Sequence, residues 1–228
     1  MARWLSADVG ARKFGKLKFD HSNLERDGFI QFKGSLVGKD ALSIASNLGD
    51  IAHVPGAQVV QTLVPSETAL KEASSYSGNY GMGEFPFHTD LAHWFKPPRF
   101  LLLRCVTPST LVTTSILLSA PLFSKENKSD LRRSLFRPRR RLDGRLSPLR
   151  LFEKDFYRWD TLFLRPLSNM AKSLQKRIEQ RIAESIPHNV VLAQTGDCVL
   201  IDNWNTFHAR SAVPPEALSR KIERIYLL

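Results

Sequence analysis

The chain has 228 residues, 43% hydrophobic and 24% charged, enough apolar side chains for one substantial core, and no stretch nears the ~20 apolar residues a membrane-spanning helix needs. The net charge of +11 points to a soluble protein with a surplus of base. Only Cys105 and Cys198 are present, each within an apolar run. Buried thiols are therefore expected rather than a disulfide framework, and with no apolar signal core after Met1 a reducing cytoplasm is the expected setting.

In chain order, residues 24–32 read as a turn and a short strand, and residues 39–48 as a helix stopped by Gly49. Alternation over residues 57–64 predicts a strand ended by Pro65. The glycines at 78, 81 and 83 predict a flexible lip over a site; without a strand-then-helix frame they are no dinucleotide fingerprint. Apolar, β-rich runs at 100–106 and 112–118 predict core strands. Next comes a basic segment at about 124–158, in which residues 132–158 hold ten Arg and Lys, including Arg137, Arg139, Arg140 and Arg141. It suits an anionic partner or carrier, or else is a solvated loop, and its few interleaved aromatics argue against nucleic acid.

Ser168 is placed to cap a helix whose stripe, Met170, Leu174, Ile178, Ile182 and Ile186, predicts core packing up to Pro187. Residues 189–193 and 198–202 read as a hairpin around Thr195-Gly196-Asp197 that delivers His208, and residues 223–228 as a last strand. No repeat, low-complexity tract or linker divides the chain, so residues 1–228 are expected to form one domain.

Two distant segments carry the chemistry: Phe85-Pro86-Phe87-His88-Thr89-Asp90 and Asp202-Asn203-Trp204-Asn205-Thr206-Phe207-His208. Two imidazoles and a carboxylate suit a facial triad for Fe(II), which leaves coordination positions open for a co-substrate and O2. His88 and Asp90 are two apart, so in a regular strand both side chains share a face. Arg220 can pair bidentately with a carboxylate, which a lysine cannot do. Taken singly, these residues also read as hydrogen-bonded surface groups or strand ion pairs; their conjunction favours the metal.

With its flanks, "FPFHTDLAHWFKPPRFLLL", "GDCVLIDNWNTFHAR" and "RKIERIYL", the chain from about Gly78 onward resembles the taurine dioxygenase/clavaminate synthase-like group of Fe(II)- and 2-oxoglutarate-dependent oxygenases. The resemblance implies a mostly β fold, a distorted double-stranded β-helix of the jelly-roll or cupin-like kind with flanking α-helices. It implies iron ligation by His88, Asp90 and His208 and a grip on the distal carboxylate of 2-oxoglutarate by Arg220. It also implies a 2-oxoglutarate contact by Thr114, although Leu111-Val112-Thr113 stands where the group has Gly-Gly-Asp.

The implied reaction couples decarboxylation of 2-oxoglutarate to succinate and CO2 with attack on an unactivated C–H bond. Hydroxylation is favoured over halogenation because Asp90 fills the carboxylate position; desaturation, epoxidation and ring formation use the same scaffold. Arg224 is expected to meet an anionic group of a small or medium substrate, and Tyr80, Phe85, Trp94, Trp159 and Trp204 to wall its pocket. Two other classes stay open: a zinc or iron lyase or isomerase, which would not need Arg220, and a basic nucleic-acid-binding protein with a degenerate metal site.

Overall fold

The computed structural model describes residues 21–67, 75–139 and 147–228. The strands are β1 (Phe29–Lys33), β2 (Gln61–Leu63), β3 (Phe85–His88), β4 (Phe100–Thr107), β5 (Thr114–Leu118), β6 (Leu135–Pro138), β7 (Leu149–Arg150), β8 (Leu164–Pro166), β9 (His188–Val190), β10 (Asp197–Asp202), β11 (Thr206–Arg210) and β12 (Lys221–Leu227). The helices are α1 (His21–Asp27), α2 (Ala41–Leu48), α3 (Tyr76–Tyr80), α4 (Ser119–Phe123), α5 (Lys128–Arg133) and α6 (Asn169–Glu184). None is long and apolar enough to cross a membrane.

Three antiparallel sheets result, in the strand orders β1-β10-β4-β12-β2, β3-β11-β5-β9 and β7-β6-β8. The larger two are joined by one core, as expected of a jelly roll: Leu101, Leu103, Val199, Ile201, Ile222 and Tyr226 of the five-stranded sheet cluster with Ile116 and Val190 of the four-stranded one. The strand period of two sends Phe100, Leu102, Leu200, Ile225 and Leu227 to the opposite face, where Ile44 and Leu48 of α2 cover them. On the far side of the four-stranded sheet, Phe207 packs with Leu174 and Ile178 of α6 and with Phe136, Leu149 and Leu164 of the small sheet.

Several expectations are corrected. Residues before Phe29 form a helix rather than a turn, because Leu24 is buried against the α2 layer and Gly28, at φ +77°, ends the coil. The strand expected over residues 57–64 pairs only at Gln61–Leu63, since Val59 and Val60 pack with the α2 cluster and leave the ladder. The glycine-rich lip begins with α3, capped by Ser75 and closed at Gly81.

Ser168 caps α6 as expected, but the helix ends at Glu184, and only the middle of its stripe is core. Leu174 and Ile178 are fully buried, whereas Met170 lies in the outer first turn and Ile186 falls beyond the helix at 94% exposure. Strands β9 and β10 are not a hairpin: β9 pairs with β5, and β10 lies between β1 and β4 in the other sheet. The basic segment is more than a solvated loop, since it contributes α5 and the paired strands β6 and β7. Arg140 and Arg141 fall outside the described residues.

Candidate metal centre

His88 ends β3, His208 lies in the middle of β11, and the two are direct cross-strand partners. Their ring centroids stand 4.5 Å apart. Asp90 lies past the strand end, so the shared-face argument for His88 and Asp90 does not describe it; the chain turns there, and Leu91 adopts a left-handed φ of 57°. Such conformations need support from their surroundings and gather at functional sites. Asn203 supplies part of it: its side-chain oxygen accepts from Asp90 N–H at 2.9 Å, and its Nδ2 donates to the Asp90 and Pro98 carbonyls at 3.1 and 2.9 Å. Thr89, between the two ligands, exchanges hydrogen bonds with the backbone of Trp159.

The result is a buried triad. Asp90 Oδ1 stands 3.3 Å from His88 Nε2 and 3.7 Å from His208 Nε2, and the ligand atoms of all three residues lie within 4.8 Å of one another. His88 Nδ1 sits 2.8 Å from the Pro86 carbonyl, which an N–H at Nδ1 satisfies and which leaves the Nε2 lone pair facing inward. Lone pairs of His88, His208 and a carboxylate oxygen pointed at one small volume suit a cation there. The donor set, two imidazoles and one carboxylate on one side, fits Fe(II).

The outer oxygen of Asp90 is already engaged. Arg224 Nη1 and Tyr226 Oη donate to Oδ2 at 3.1 and 2.9 Å, while Gln61 Oε1 holds Arg224 through Nε and Nη2 at 3.2 and 2.6 Å. Burial would raise the Asp90 carboxyl, but the Arg224 charge, with the two imidazoles beside it, outweighs burial and holds it well below the usual carboxylate range. Burial, with His88 beside it, lowers His208, favouring the neutral imidazole that a metal needs.

The triad opens on a pocket of about 330 Å³. Arg220 and Thr114 are among its lining residues, and Phe85, Leu103, Phe163 and Ile222 give it apolar surface. Arg220 lies just before β12, and burial lowers its guanidinium from the usual arginine range. Arg210 covers the Phe85 ring at 3.6 Å and donates to the carbonyls of Gly81 and Gly83, so the lip is tied down from β11.

The aromatic wall needs revision. Phe85 lines the pocket, and Tyr80 stands one ring behind it at 6.0 Å. Trp159 is instead in the α6 core with Phe207, because its backbone, and not its ring, serves the triad. Trp204 packs on Phe156 and donates to the Pro97 carbonyl at 2.8 Å, and Trp94 lies on the loop whose carbonyls Arg158 gathers; neither lines the pocket.

Residues passed over by the sequence reading take those places. Tyr76 stacks on His88 at 4.1 Å, and buried Asp160 lines the pocket. Burial raises the Asp160 carboxyl, and burial with the Asp160 charge raises the Tyr76 phenol. Tyr226 was within reach of sequence, since it shares the strand face of Ile222 and Arg224. Tyr76, Asp160 and Gln61 carry no local signal.

No protein-family model and no curated relative matches the sequence. Solved structures share the fold at low identity. Asparagine oxygenase in complex with Fe(II), 2S,3S-3-hydroxyasparagine and succinate superimposes with a TM-score of 0.70 at 19% identity, over 92% of this chain and 78% of that one. The non-heme iron oxygenase OrfP in complex with Fe, succinate and (3S)-hydroxy-L-Arg gives 0.67 at 16%, over 91% and 78%. A taurine dioxygenase from Burkholderia xenovorans gives 0.63 at 16%, over 91% and 79%. The chain thus shares its jelly-roll fold with these three solved structures.

Proposed function

We propose that the protein is an Fe(II)- and 2-oxoglutarate-dependent oxygenase that hydroxylates an unactivated C–H bond of a small, amino-acid-like metabolite. The observation that carries this reading is the convergence of His88, Asp90 and His208 at a pocket that is also lined by a half-buried arginine, Arg220. Bound Fe(II) with 2-oxoglutarate would supply the O2-activating chemistry. The chain's own residues bind, orient and shield: Arg220 takes the distal carboxylate of 2-oxoglutarate by its guanidinium fork, Thr114 lines the same pocket, and the apolar lining residues exclude water from the reacting centre.

The substrate part rests on the remaining charges. Arg224 is committed to Asp90 and Gln61, so we read it as a support of the metal ligand rather than as the substrate's anion contact. Asp160, one oxygen of which accepts from Phe163 N–H at 2.6 Å, is then the acidic side chain on the pocket wall, besides Asp90, that would meet an ammonium group. The hydroxylated amino acids bound to asparagine oxygenase and OrfP support the same substrate class.

Succinate formation from 2-oxoglutarate, measured with Fe(II) against a panel of free amino acids and their N-acetyl forms, tests both parts. Stimulation by free amino acids, lost on N-acetylation and in Asp160→Asn, is expected. Stimulation only by compounds without a cationic nitrogen overturns the substrate class; no succinate under any condition overturns the oxygenase reading.

A further inference from the structure

Away from the metal pocket, the small sheet presents a charge pattern that packing does not explain. Strands β6 and β8 are antiparallel, with Arg137 directly opposite Arg165. Such partners have Cβ atoms about 5 Å apart, and like charges placed there destabilise a strand pair. Arg139 lies just past the end of β6 and lines the same cleft as the other two. All three side chains are exposed, and none forms an ion pair with a described residue. Together with Pro138 they bound a cleft of about 390 Å³.

The cleft adjoins the pocket rather than lying on a remote face. Arg139 N–H donates to the Phe163 carbonyl at 2.8 Å, and Phe163, two residues before Arg165, lines the metal pocket. Repulsion among three arginines gathered on one cleft is relieved by an anion between them. Guanidinium forks match the oxygens of a phosphate in paired hydrogen bonds, which makes a phosphate group a better occupant than a halide. A nucleic-acid strand would call for aromatic side chains between the arginines to stack its bases, and the cleft is bounded by arginines and a proline.

We propose that Arg137, Arg139 and Arg165 form a phosphate-binding cradle at the rim of the metal pocket. The site stands whether or not the oxygenase reading holds, because none of its residues belongs to the triad or its supports.

Calorimetric titration with inorganic phosphate, with glycerol 3-phosphate and with a single-stranded oligonucleotide series, each at fixed ionic strength, tests it on the full chain. Wild type is expected to bind phosphate saturably, and Arg137→Ala/Arg165→Ala to bind it about tenfold more weakly or worse. Tighter binding of the ester than of inorganic phosphate identifies a phosphorylated organic ligand; equal binding identifies free phosphate. In phosphate-free buffer the double variant should melt no lower than wild type, since a like-charge pair has been removed; Arg165→Gln repeats the titration should the double variant not fold. Equal phosphate binding by wild type and variants, no saturable binding, or affinity that rises steadily with oligonucleotide length overturns the cradle.

Discussion

Asp90 shows how one carboxylate can be given two separate tasks. Its Oδ1 faces both imidazoles, and its Oδ2 receives Arg224 and Tyr226, so the side chain is aimed before any cation arrives. Supports of this kind typically contribute 10–100-fold to metal affinity. Tyr226→Phe removes one donor with little change of shape, and Fe(II) or Co(II) affinity measured by competition with a chelator is expected to fall by roughly tenfold; unchanged affinity would show that the Tyr226 hydroxyl does not orient the ligand. Arg220→Lys keeps the charge and loses the fork, so 2-oxoglutarate affinity should drop by about 1–3 kcal/mol while metal affinity is retained. If Arg224→Lys gives the larger loss of 2-oxoglutarate affinity, the roles of the two arginines are exchanged. The ligand types were legible in His88, Asp90 and His208 because their chemistry is rare in combination. Gln61 and Asp160 were not, because each becomes a site residue only when strands far apart in sequence are brought together.

Elements were legible where one period ran uninterrupted. The alternation in β4, β10 and β12 sorts each strand's side chains between the shared core and the α2 layer, and the same alternation aims Arg224 and Tyr226 inward. The i, i+4 stripe of α6 was legible as a helix, but its burial was not, because a pattern does not say how far the neighbouring layer extends. That difference is measurable. Leu174→Ala, at a fully buried position, should cost about 2–5 kcal/mol in denaturant unfolding, whereas Met170→Ala should stay within about 0.5 kcal/mol. Comparable losses would mean that α6 packs along its whole length. The pairing of β9 was misread because nearness in sequence favours a hairpin, whereas His188–Val190 complete the edge beside β5.

At the scale of the whole molecule, Glu126 ties the start of the basic segment to α6 through Arg177 and Arg181, each at 2.7 Å. The hydrogen bond from Arg177, ahead of the smaller opposing effect of burial, lowers the Glu126 carboxyl below its ordinary range. A depressed carboxylate stabilises the fold fully above its unfolded value, about 4.3, and the contribution is lost as pH falls through the lower folded value. Glu126→Gln should therefore be less stable than wild type near neutrality, with the gap closing only below about pH 4.3 in urea unfolding; a gap that persists or widens in acid contradicts the ion-pair account. The overall architecture was legible from motif order and flanks, while the seating of the basic segment as part of a third sheet was not, since its arginines mask short apolar strands such as Leu135–Pro138.

The central claim, a three-residue iron site that also takes 2-oxoglutarate, is tested most directly by anaerobic absorption spectroscopy of the protein with Fe(II) and 2-oxoglutarate. Wild type should develop the weak visible charge-transfer band of that chelate, and Asp90→Ala and His208→Ala should abolish it while remaining folded by circular dichroism. No band in wild type, or a band undiminished in His208→Ala, would contradict the account.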